Sequence, residues 1–251
     1  MKSSGLSWRI VLVRPRNPLN VGAAARAMAN FGFRDLVVVA PHPPVWQEAR
    51  SAVGAEHVLT SARAVSNLQE AVGEATLVIG TTSGSRRNLD RELLPLADLP
   101  AWLKRCAAAG SRAALLFGSE KTGLANEELS YCHALVRIST SPRCPSMNLG
   151  QAVAVCCYEL ARARVVSARP PAARAHLSEP ANVHSLEHLF ARTVRVLDHT
   201  GYLKPKARQA TLIKLRRLLL DLRLTNNEVR ILGGILAQIE WKLENAERKK
   251  E

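Results

Sequence analysis

The chain has 251 residues, 47% of them hydrophobic and 22% charged, which is typical of a globular protein and excludes extended disorder. Thirty-five Lys and Arg residues against 21 Asp and Glu give a formal net charge of +14 and a pI near 10.3, which favours a polyanionic partner such as nucleic acid. An uninvolved basic surface and an anionic lipid surface are the alternatives, and no apolar run approaches the ~20 residues of a membrane span.

Strand-like and helix-like segments alternate along the first two-thirds of the chain. Short apolar runs predict strands at residues 9–14, 35–40, 75–80, 112–118 and 134–139. Helix-like runs lie between them, at residues 20–32, 46–53, 67–72 and 99–109, and another follows residue 148. Gly32 is predicted to end the first helix as its C′ residue. This alternation indicates an α/β fold, with a parallel sheet covered by helices on both faces.

Residues 165–182 contain three prolines and few core-type side chains, which predicts a linker. It separates a domain of residues 1–164 from a helical C-terminal extension of residues 183–251. Residues 191–251 hold 14 Lys and Arg against 7 Asp and Glu, so this quarter of the chain contributes half of the net positive charge. The extension is therefore a candidate polyanion contact.

The extension has two predicted amphipathic helices, the second with Thr225 as its N-cap. The apolar face of the first consists of Leu212, Leu215, Leu219 and Leu222, and that of the second of Ile231, Ile235 and Ile239. Residues 199–203 predict a turn between helices.

The five cysteines form no C-x-x-C pair, which argues against a zinc site, and no metal is expected. Their odd number suits a reducing compartment, so the protein is predicted to be cytoplasmic. Burial of the thiols is expected, with a redox or nucleophilic role as the alternative. The N-terminus reaches arginines too early for a secretory signal.

Two common nucleotide-binding patterns are missing from the loops where an α/β fold would place them. Residues 14–26, RPRNPLNVGAAAR, lack G-x-G-x-x-G and therefore the dinucleotide fingerprint. Residues 118–129, GSEKTGLANEEL, have two glycines at Walker spacing, but Leu124 stands where the phosphate-binding lysine is required.

Three other loops follow predicted strands, at the edge where open α/β sheets bind ligands. They read GTTSGSRRN, FGSEKTGLANEEL and ISTSPRCPSMNLG. Their small residues let backbone groups come close to a ligand, and their hydroxyl and amide side chains add polar contacts. Ordinary turn chemistry explains any one loop, but together they suit a small polar ligand such as an adenosine.

With the first helix, these loops resemble the three motifs of the SPOUT methyltransferases, in order and spacing. The matching segments are NPLNVGAAARAMANFG, LLFGSEKTGLANEEL and SPRCPSMNLGQAVAVCCYEL, within residues 9–160. The resemblance is to the TrmH-like branch of 2′-O-ribose RNA methyltransferases. It implies a parallel sheet flanked by helices and a C-terminal trefoil knot, a feature that chains otherwise avoid. The tail, KLRRLLLDLRLTNNEVRILGGILAQIEWK, is similar to the helical extension of a subgroup that methylates cytidine or uridine at position 32 of the tRNA anticodon loop.

The resemblance implies S-adenosylmethionine as the cofactor. The residues that match the family's cofactor-binding positions are Thr81, Thr82, Ser83, Gly118, Glu120, Ile138, Pro145, Ser146, Met147 and Asn148. Gly84, Cys144 and Pro145 depart from the residues that related loops often carry, which bears on the choice of nucleoside.

The candidate catalytic residues by the same matching are Arg26, Asn20 and Ser146. Asn20 could also be an N-cap of the first helix, and Arg26 could be a surface arginine or part of an ion pair. A guanidinium with a pKa above ~12 is a poor proton acceptor, so Arg26 is expected to hold the phosphate beside the reacting ribose and to orient its 2′-hydroxyl. The family's homodimers imply that Arg26 faces the cofactor of the second copy.

The expected partners are tRNA and a second copy of the chain, without DNA or a membrane, because only RNA carries a 2′-hydroxyl acceptor. Methylation of ribosomal RNA and a catalytically silent RNA-binding protein are the alternatives. A membrane-surface role is weakest, because no helix combines a broad apolar face with a bulky aromatic anchor. The set of tRNAs and the choice between cytidine and uridine stay open, as does whether the extension binds RNA or joins two copies.

Overall fold

A computed structural model describes residues 6–41, 54–83, 91–108, 110–166 and 180–247. The chain divides into two compact units, and the division falls between Leu177 and Ser178, outside the described residues. The helix predicted at residues 46–53, most of the predicted linker and Gly84 also lie outside them.

The first unit is built on a parallel sheet. Its strands within the described residues are β1 (Ser7–Val13), β2 (Asp35–Val39), β3 (Arg63–Val65), β4 (Leu77–Thr81), β5 (Leu93–Pro95), β6 (Arg112–Phe117) and β7 (Ala134–Arg137). Their order is β3-β2-β1-β6-β4-β7-β5, and each pairing between neighbours is parallel. The predicted parallel α/β sheet is confirmed, and β1, β6, β4 and β7 lie side by side.

Sequence patterns predicted five of these strands and missed β3 and β5. Both are three residues long and lie at the two edges of the sheet. A run of three residues is too short to display an alternating or continuous apolar pattern, so pairing with an inner strand decides its conformation.

Helices of the first unit cover the sheet. They are α1 (Pro18–Asn30), α2 (Glu56–Ser61), α3 (Leu68–Val72), α4 (Leu99–Cys106), α5 (Asn126–Leu129) and α6 (Leu149–Val166). Both faces of the sheet are buried, because Ile10 and Leu12 point to one face of β1 and Val11 to the other, and all three are fully buried. Apolar residues that face both layers of helices explain why the inner strands read as continuous apolar runs.

Helix α1 has well-defined ends. Asn17 is its N-cap, because the side-chain oxygen of Asn17 accepts a hydrogen bond from the backbone N–H of Leu19 at 2.9 Å, and Pro18 occupies the first turn. The suggestion that Asn20 caps this helix is therefore wrong. Gly32 has a φ of +76°, and its N–H donates to the carbonyl of Ala29, as predicted for a C′ glycine.

Helix α6 packs closely against α1. A Cβ atom on Gly150 would lie 2.6 Å from the Cβ of Ala23, so the two helices approach at a point where neither has a bulky side chain. Further along α6, Val153, Cys156 and Leu160 are buried in the core. This contact fixes the start of α6 beside the first turns of α1.

The cysteines divide between core and surface. Cys132, Cys156 and Cys157 are buried, as expected, and burial raises the pKa of the Cys132 thiol to about 12. Cys106 is half-buried, and Cys144 is exposed, so the expectation of burial is wrong for Cys144. Cys144 lies in the loop between β7 and α6, which turns its side chains outward.

The second unit is helical, with α7 (Val183–His199), α8 (Arg208–Asp221) and α9 (Asn226–Glu247). Its core includes Leu189, Phe190 and Leu219. Arg216 donates to Glu187 at 2.7 Å, and its guanidinium carbon lies 4.2 Å from the centre of the Phe190 ring. Residues 200–204 separate α7 from the next turn, which agrees with the predicted helix–helix connection.

Thr225 caps α9 as predicted. Its hydroxyl accepts from the N–H of Glu228 at 3.3 Å, and the Glu228 carboxylate accepts from the N–H of Thr225 at 2.7 Å. This is a capping box, and the backbone hydrogen bond to Thr225 holds the pKa of Glu228 below its usual range.

The predicted apolar faces of α8 and α9 differ from the observed ones. Leu212, Leu215 and Leu219 pack inside the unit, but Leu222 lies beyond the end of α8 and is 54% exposed. Ile231, Ile235 and Ile239 are 54%, 53% and 40% exposed, whereas Val229, Leu232 and Leu236 join the core. The face of α9 that packs against α7 is therefore the row next to the predicted isoleucine face.

Two features are absent from the residues that the structure describes. None of their helices is long and apolar enough to cross a membrane. Nor do they contain a cluster of three or more His, Cys, Asp or Glu side chains that could hold a metal ion.

Candidate active site

The three sequence motifs meet at the carboxyl ends of neighbouring strands. Parallel strands end at the same edge of a sheet, so the loops after β1, β6, β4 and β7 lie side by side. These loops contain most of the residues that the sequence singled out. Thr81 is the last residue of β4, Asn20 lies in the first turn of α1, and Arg26 lies further along α1.

Glu120 joins the second motif to the first. Its carboxylate accepts hydrogen bonds from the N–H groups of Arg16 at 3.0 Å and Asn17 at 3.2 Å. It also accepts a hydrogen bond from the side-chain amide of Asn20 at 2.8 Å. These donors hold the loop before α1 against the loop after β6.

The surroundings of Glu120 determine its charge. Desolvation raises the pKa of this carboxyl, but hydrogen bonds from Asn20 and from the backbone of Glu120, Arg16 and Asn17 outweigh that effect, so the pKa lies below its usual range. Glu120 is therefore ionised at neutral pH and already accepts three hydrogen bonds. Such a carboxylate can anchor its neighbours but is a poor general base.

Asn148 adds the third motif to this network. Its side-chain amide donates to the side-chain oxygen of Asn20 at 2.8 Å, and its own oxygen accepts from the N–H of Gln151 at 3.3 Å. The second contact caps α6. With the amide groups oriented to satisfy these bonds, Asn20 donates to Glu120 and accepts from Asn148, so one residue links all three motifs.

An ion pair between Arg14 and Glu128 also connects the segments that follow β1 and β6. The sequence analysis did not predict this pair. Arg14 follows β1 with a φ of +50°, an uncommon conformation for arginine, and its guanidinium binds both oxygens of the buried Glu128. Glu128 also accepts from the N–H of Ala125 at 2.6 Å. Nothing local in the sequence pairs residues 114 positions apart.

Gly118 is required by the loop that presents Glu120. A Cβ on Gly118 would lie 2.0 Å from the carbonyl carbon of Gly123, because the loop folds back on itself there. Gly123 has a φ of +66°, and its N–H donates to the carbonyl of Ser119 at 2.8 Å. The two glycines that resemble a Walker pattern thus serve a tight turn.

The loop after β4 continues the sheet for one more residue. The hydroxyl of Thr81 donates to the carbonyl of Leu116 at 2.9 Å, and the N–H of Thr82 donates to the carbonyl of Val136 at 3.0 Å. Ser83 is exposed. Thr81 and Thr82 are therefore held between β6 and β7, next to the loops that contain Gly118 and Ile138.

The loop between β7 and α6 is held by its own turns. The hydroxyl of Thr140 donates to the carbonyl of Pro145 at 3.1 Å, and the N–H of Cys144 donates to the carbonyl of Ser141 at 2.9 Å. Ile138 is half-buried against the core, and the side chains of Pro145, Ser146, Met147 and Asn148 are exposed. The loop thus offers its surface to a ligand, and Asn148 connects it to the network.

Arg26 lies apart from the network. Six residues separate it from Asn20, which turns it about 120° around the axis of α1. Its side chain is exposed, and within the described ranges it makes no hydrogen bond or ion pair. Arg26 shares its helix face with Leu19, which is 55% exposed and seven residues earlier. Among the described residues of a single copy, Arg26 makes no hydrogen bond to Asn20, Glu120 or Asn148.

Two family models match the chain. Residues 7–158 match the SpoU rRNA Methylase family, and residues 184–251 match the tRNA methyltransferase TrmJ, C-terminal domain. The two matches correspond to the α/β part and to the helical part of the chain.

Similar proteins align over nearly the whole chain. The tRNA (cytidine/uridine-2′-O-)-methyltransferase TrmJ of Salmonella typhimurium is 37% identical over 235 residues, which cover 92% of this chain and 96% of that protein. The tRNA (cytidine/uridine/adenosine-2′-O-)-methyltransferase TrmJ of Pseudomonas aeruginosa is 34% identical over 240 residues, 92% and 93% of the two chains. The crystal structure of TrmJ from Z. mobilis ZM4 superposes with a TM-score of 0.81 at 29% identity, covering 94% of this chain and 100% of that one.

Proposed function

Because the chain belongs to the SpoU rRNA Methylase family, we propose that it is an S-adenosylmethionine-dependent methyltransferase that modifies the 2′-oxygen of a ribose in tRNA. The predicted resemblance to the SPOUT methyltransferases is confirmed by that family match. The observation that carries the choice of substrate is the C-terminal match to TrmJ, together with TrmJ relatives that align over nine-tenths of the chain.

The target we propose is cytidine or uridine at position 32 of the anticodon loop. There the nucleotides are unpaired, so a ribose can be reached without melting a duplex. Ribosomal RNA remains the second candidate because the matched family takes its name from it. The C-terminal tRNA methyltransferase domain favours tRNA over that candidate.

The loops at the carboxyl edge of the sheet fit a cofactor with an adenosine and an amino-acid moiety. Three adjacent strands, β6, β4 and β7, end there in loops with small, polar and exposed residues. We assign cofactor binding to Thr81, Thr82, Ser83, Gly118, Glu120, Ile138, Pro145, Ser146, Met147 and Asn148. S-adenosylmethionine supplies an electrophilic methyl group on a sulfonium. Formation of a C-terminal trefoil knot by the last loop and α6 is part of the proposal.

The residues of the network position the reactants in this proposal. Glu120, saturated with donors, anchors Asn20, and Asn20 fixes Asn148 at the mouth of α6. Ser146 is exposed on the cofactor loop, and its hydroxyl makes no hydrogen bond among the described residues, so it is available to the substrate. Alignment and exclusion of water then supply most of the rate enhancement.

Arg26 holds the phosphate next to the reacting ribose and orients the 2′-hydroxyl. A guanidinium is a strong donor but remains protonated, and the Glu120 carboxylate is occupied, so neither takes the proton. The proton of the 2′-hydroxyl leaves to water as the new bond forms.

A homodimer completes this site. Arg26 lies on an exposed face of α1 away from the network, which suits contact with the cofactor loops of a second copy. The same side of the unit carries exposed apolar groups: Leu19 is 55% exposed, and Tyr158 on α6 is 53% exposed, with its ring 5.8 Å from that of Phe31. Exposed apolar residues around a functional arginine are typical of a protein interface. The proposed location is the cytoplasm, where tRNA is available.

Methyl transfer from labelled S-adenosylmethionine to unmodified tRNA tests the function. The control is the same tRNA with a single 2′-deoxy sugar at position 32, which removes the acceptor oxygen. Label in the normal tRNA alone supports the proposal. Label in both contradicts position 32, and label in ribosomal RNA alone supports the second candidate. Cofactor binding without transfer to any RNA contradicts the methyltransferase function.

Mixing two inactive variants tests whether the site is shared between copies. Arg26→Ala and Asn148→Ala each disable one part of the site. If Arg26 acts on the loops of the second copy, a mixed dimer contains one intact site and regains activity. If Arg26 acts within its own copy, mixing restores nothing.

A further inference from the structure

Helix α9 presents an apolar row that the second unit does not cover. Ile231, Ile235 and Ile239 follow each other at intervals of four residues and are 54%, 53% and 40% exposed. Residues at this spacing lie above one another on a helix, so they form one continuous stripe. The core of the unit is instead formed by the neighbouring row of α9. An uncovered stripe of isoleucines is typical of a contact with another molecule.

Charged residues of opposite sign stand at the two ends of this stripe. Glu228 lies seven residues before Ile235 and Lys242 lies seven residues after it, and both are exposed. Seven residues make nearly two full turns, so both charges lie on the same face as Ile235. Helix α9 runs from Asn226 to Glu247, which places Ile235 near its middle. Along this face of α9, three isoleucines therefore lie between an acidic residue at one end and a basic residue at the other.

Such a pattern is complementary to itself when reversed. We infer that α9 pairs with α9 of a second copy of this chain, antiparallel and around a two-fold axis near Ile235. In that arrangement Ile235 meets its own counterpart, Ile231 meets the second copy's Ile239, and Glu228 meets the second copy's Lys242. Each contact occurs twice, as a two-fold interface requires.

A second copy fits this stripe better than RNA does. Isoleucine side chains have no donors for phosphate groups and no flat ring on which a base could stack. One acid and one base at the ends give the stripe no net positive charge, whereas binding of a nucleic acid backbone requires an excess of cations. The charges match an inverted copy of the same helix.

The pairing of the α9 helices requires a second contact between the same two copies. Two helices of this length that touch along one stripe bury less than the ~1,200 Å² of a stable interface. The inference therefore rests on the proposed homodimer, which would hold two α9 helices at a high effective concentration. It does not depend on the methyl-transfer reaction.

Cross-linking of the full chain tests the pairing. Ile235→Cys places a thiol on the two-fold axis, and Arg230→Cys places one on an exposed site of α9 that lies about 140° away around the helix. Both variants are made with Cys144→Ser and Cys106→Ala, which remove the exposed and half-buried thiols. A short bismaleimide at low protein concentration is expected to link Ile235→Cys into a covalent dimer at least tenfold faster than Arg230→Cys. Equal rates, or no link at residue 235, would overturn the inference.

Sedimentation of the same samples separates this inference from the homodimer on which it rests. If the protein sediments as a dimer but no link forms at residue 235, the pairing is overturned and the proposed homodimer still stands. A monomer without a link overturns both. Reaction of the Ile235→Cys thiol with a monofunctional maleimide gives a further check. If the thiol reacts rapidly in the dimer without tRNA and slowly once tRNA is bound, RNA covers the stripe and the pairing is wrong.

Charge reversal tests the proposed register. Glu228→Lys and Lys242→Glu each place like charges opposite one another and are expected to slow cross-linking of Ile235→Cys by about twofold to fivefold. The double variant restores opposite charges and the original rate. Glu228 also belongs to the capping box with Thr225, whereas Lys242→Glu leaves that box intact. An unchanged cross-linking rate in Lys242→Glu would therefore contradict the register.

Discussion

The two units of the chain use polar side chains in different ways. In the first unit, Glu120, Asn20 and Asn148 bond to one another and to the backbone, so their geometry is fixed before any ligand binds. In the second unit, ion pairs such as Glu187 with Arg216 connect helices. The polar network of the first unit thus fixes three loops relative to one another, whereas the ion pairs of the second unit hold its helices together.

Exposed apolar residues show the same contrast. Among the described residues, seven of the ten exposed large hydrophobic side chains lie in the second unit, and three lie in the first. The three in the first unit, Leu19, Met147 and Tyr158, surround the candidate active site or the proposed dimer contact. We expect substitutions in the first unit to alter catalysis and those in the second to alter stability, association and RNA affinity.

The largest expected effect is on stability, from Glu187→Ala. The side chains of Glu187 and Arg216 are 9% and 13% exposed, so the substitution leaves a buried cation without its carboxylate, at a cost of about 3–5 kcal/mol. Urea unfolding followed by circular dichroism measures it. Asp198→Ala breaks an exposed pair with Arg208 and should change stability far less. Equal losses would contradict the distinction between buried and exposed pairs.

Arg26→Ala should slow methyl transfer on the order of 10²–10³-fold, because positioning of the 2′-hydroxyl is lost. The binding of S-adenosylmethionine and the fold should not change, since Arg26 is exposed and makes no ion pair within the described part of the chain. Single-turnover kinetics and calorimetry measure the two quantities. Arg34→Ala, another exposed arginine of the first unit, is the control, and similar rates for the two variants would count against the proposed role.

Tyr202→Ala should weaken tRNA binding with little effect on turnover of bound tRNA. Tyr202 is 64% exposed in the connection between α7 and α8, beside the exposed Lys204 and Lys206. A ring next to cations suits an unpaired base, and one stacked base contributes about 1–3 kcal/mol. Trp241→Ala removes an exposed ring from α9 and is the control in the same filter-binding titration. An equal loss of affinity in both variants would argue against a specific role for Tyr202.

The smallest expected effect is the pH-dependent contribution of the Glu120 carboxylate to the free energy of unfolding. Its pKa is lowered in the folded protein, so the stabilisation is complete above the unfolded value of about 4.3 and is lost as the pH falls through the lower folded value. The free energy of unfolding of the wild type minus that of Glu120→Gln should therefore be constant from pH 5 to 8 and shrink in acid. A difference that stays constant in acid would contradict this prediction.

The strands illustrate how far sequence patterns reach. The inner strands β1, β2, β4, β6 and β7 are continuous apolar runs because helices cover both faces, and their positions could be predicted. The edge strands β3 and β5 could not, since three residues carry no pattern. The caps at Gly32 and Thr225 could be predicted because each depends on its own side chain or φ angle.

The sequence by itself determined the parallel α/β class, the helical C-terminal part and the three loops that resemble the SPOUT motifs. Tertiary structure decided which polar groups meet: Asn20 bonds to Glu120 100 residues away and to Asn148 128 residues away, because β1 lies beside β6 and α6 begins beside α1. It also decided that α9 packs Leu232 against the core of the second unit and exposes Ile235. Local spacing reports which residues share a face, but the direction of that face depends on the neighbouring elements.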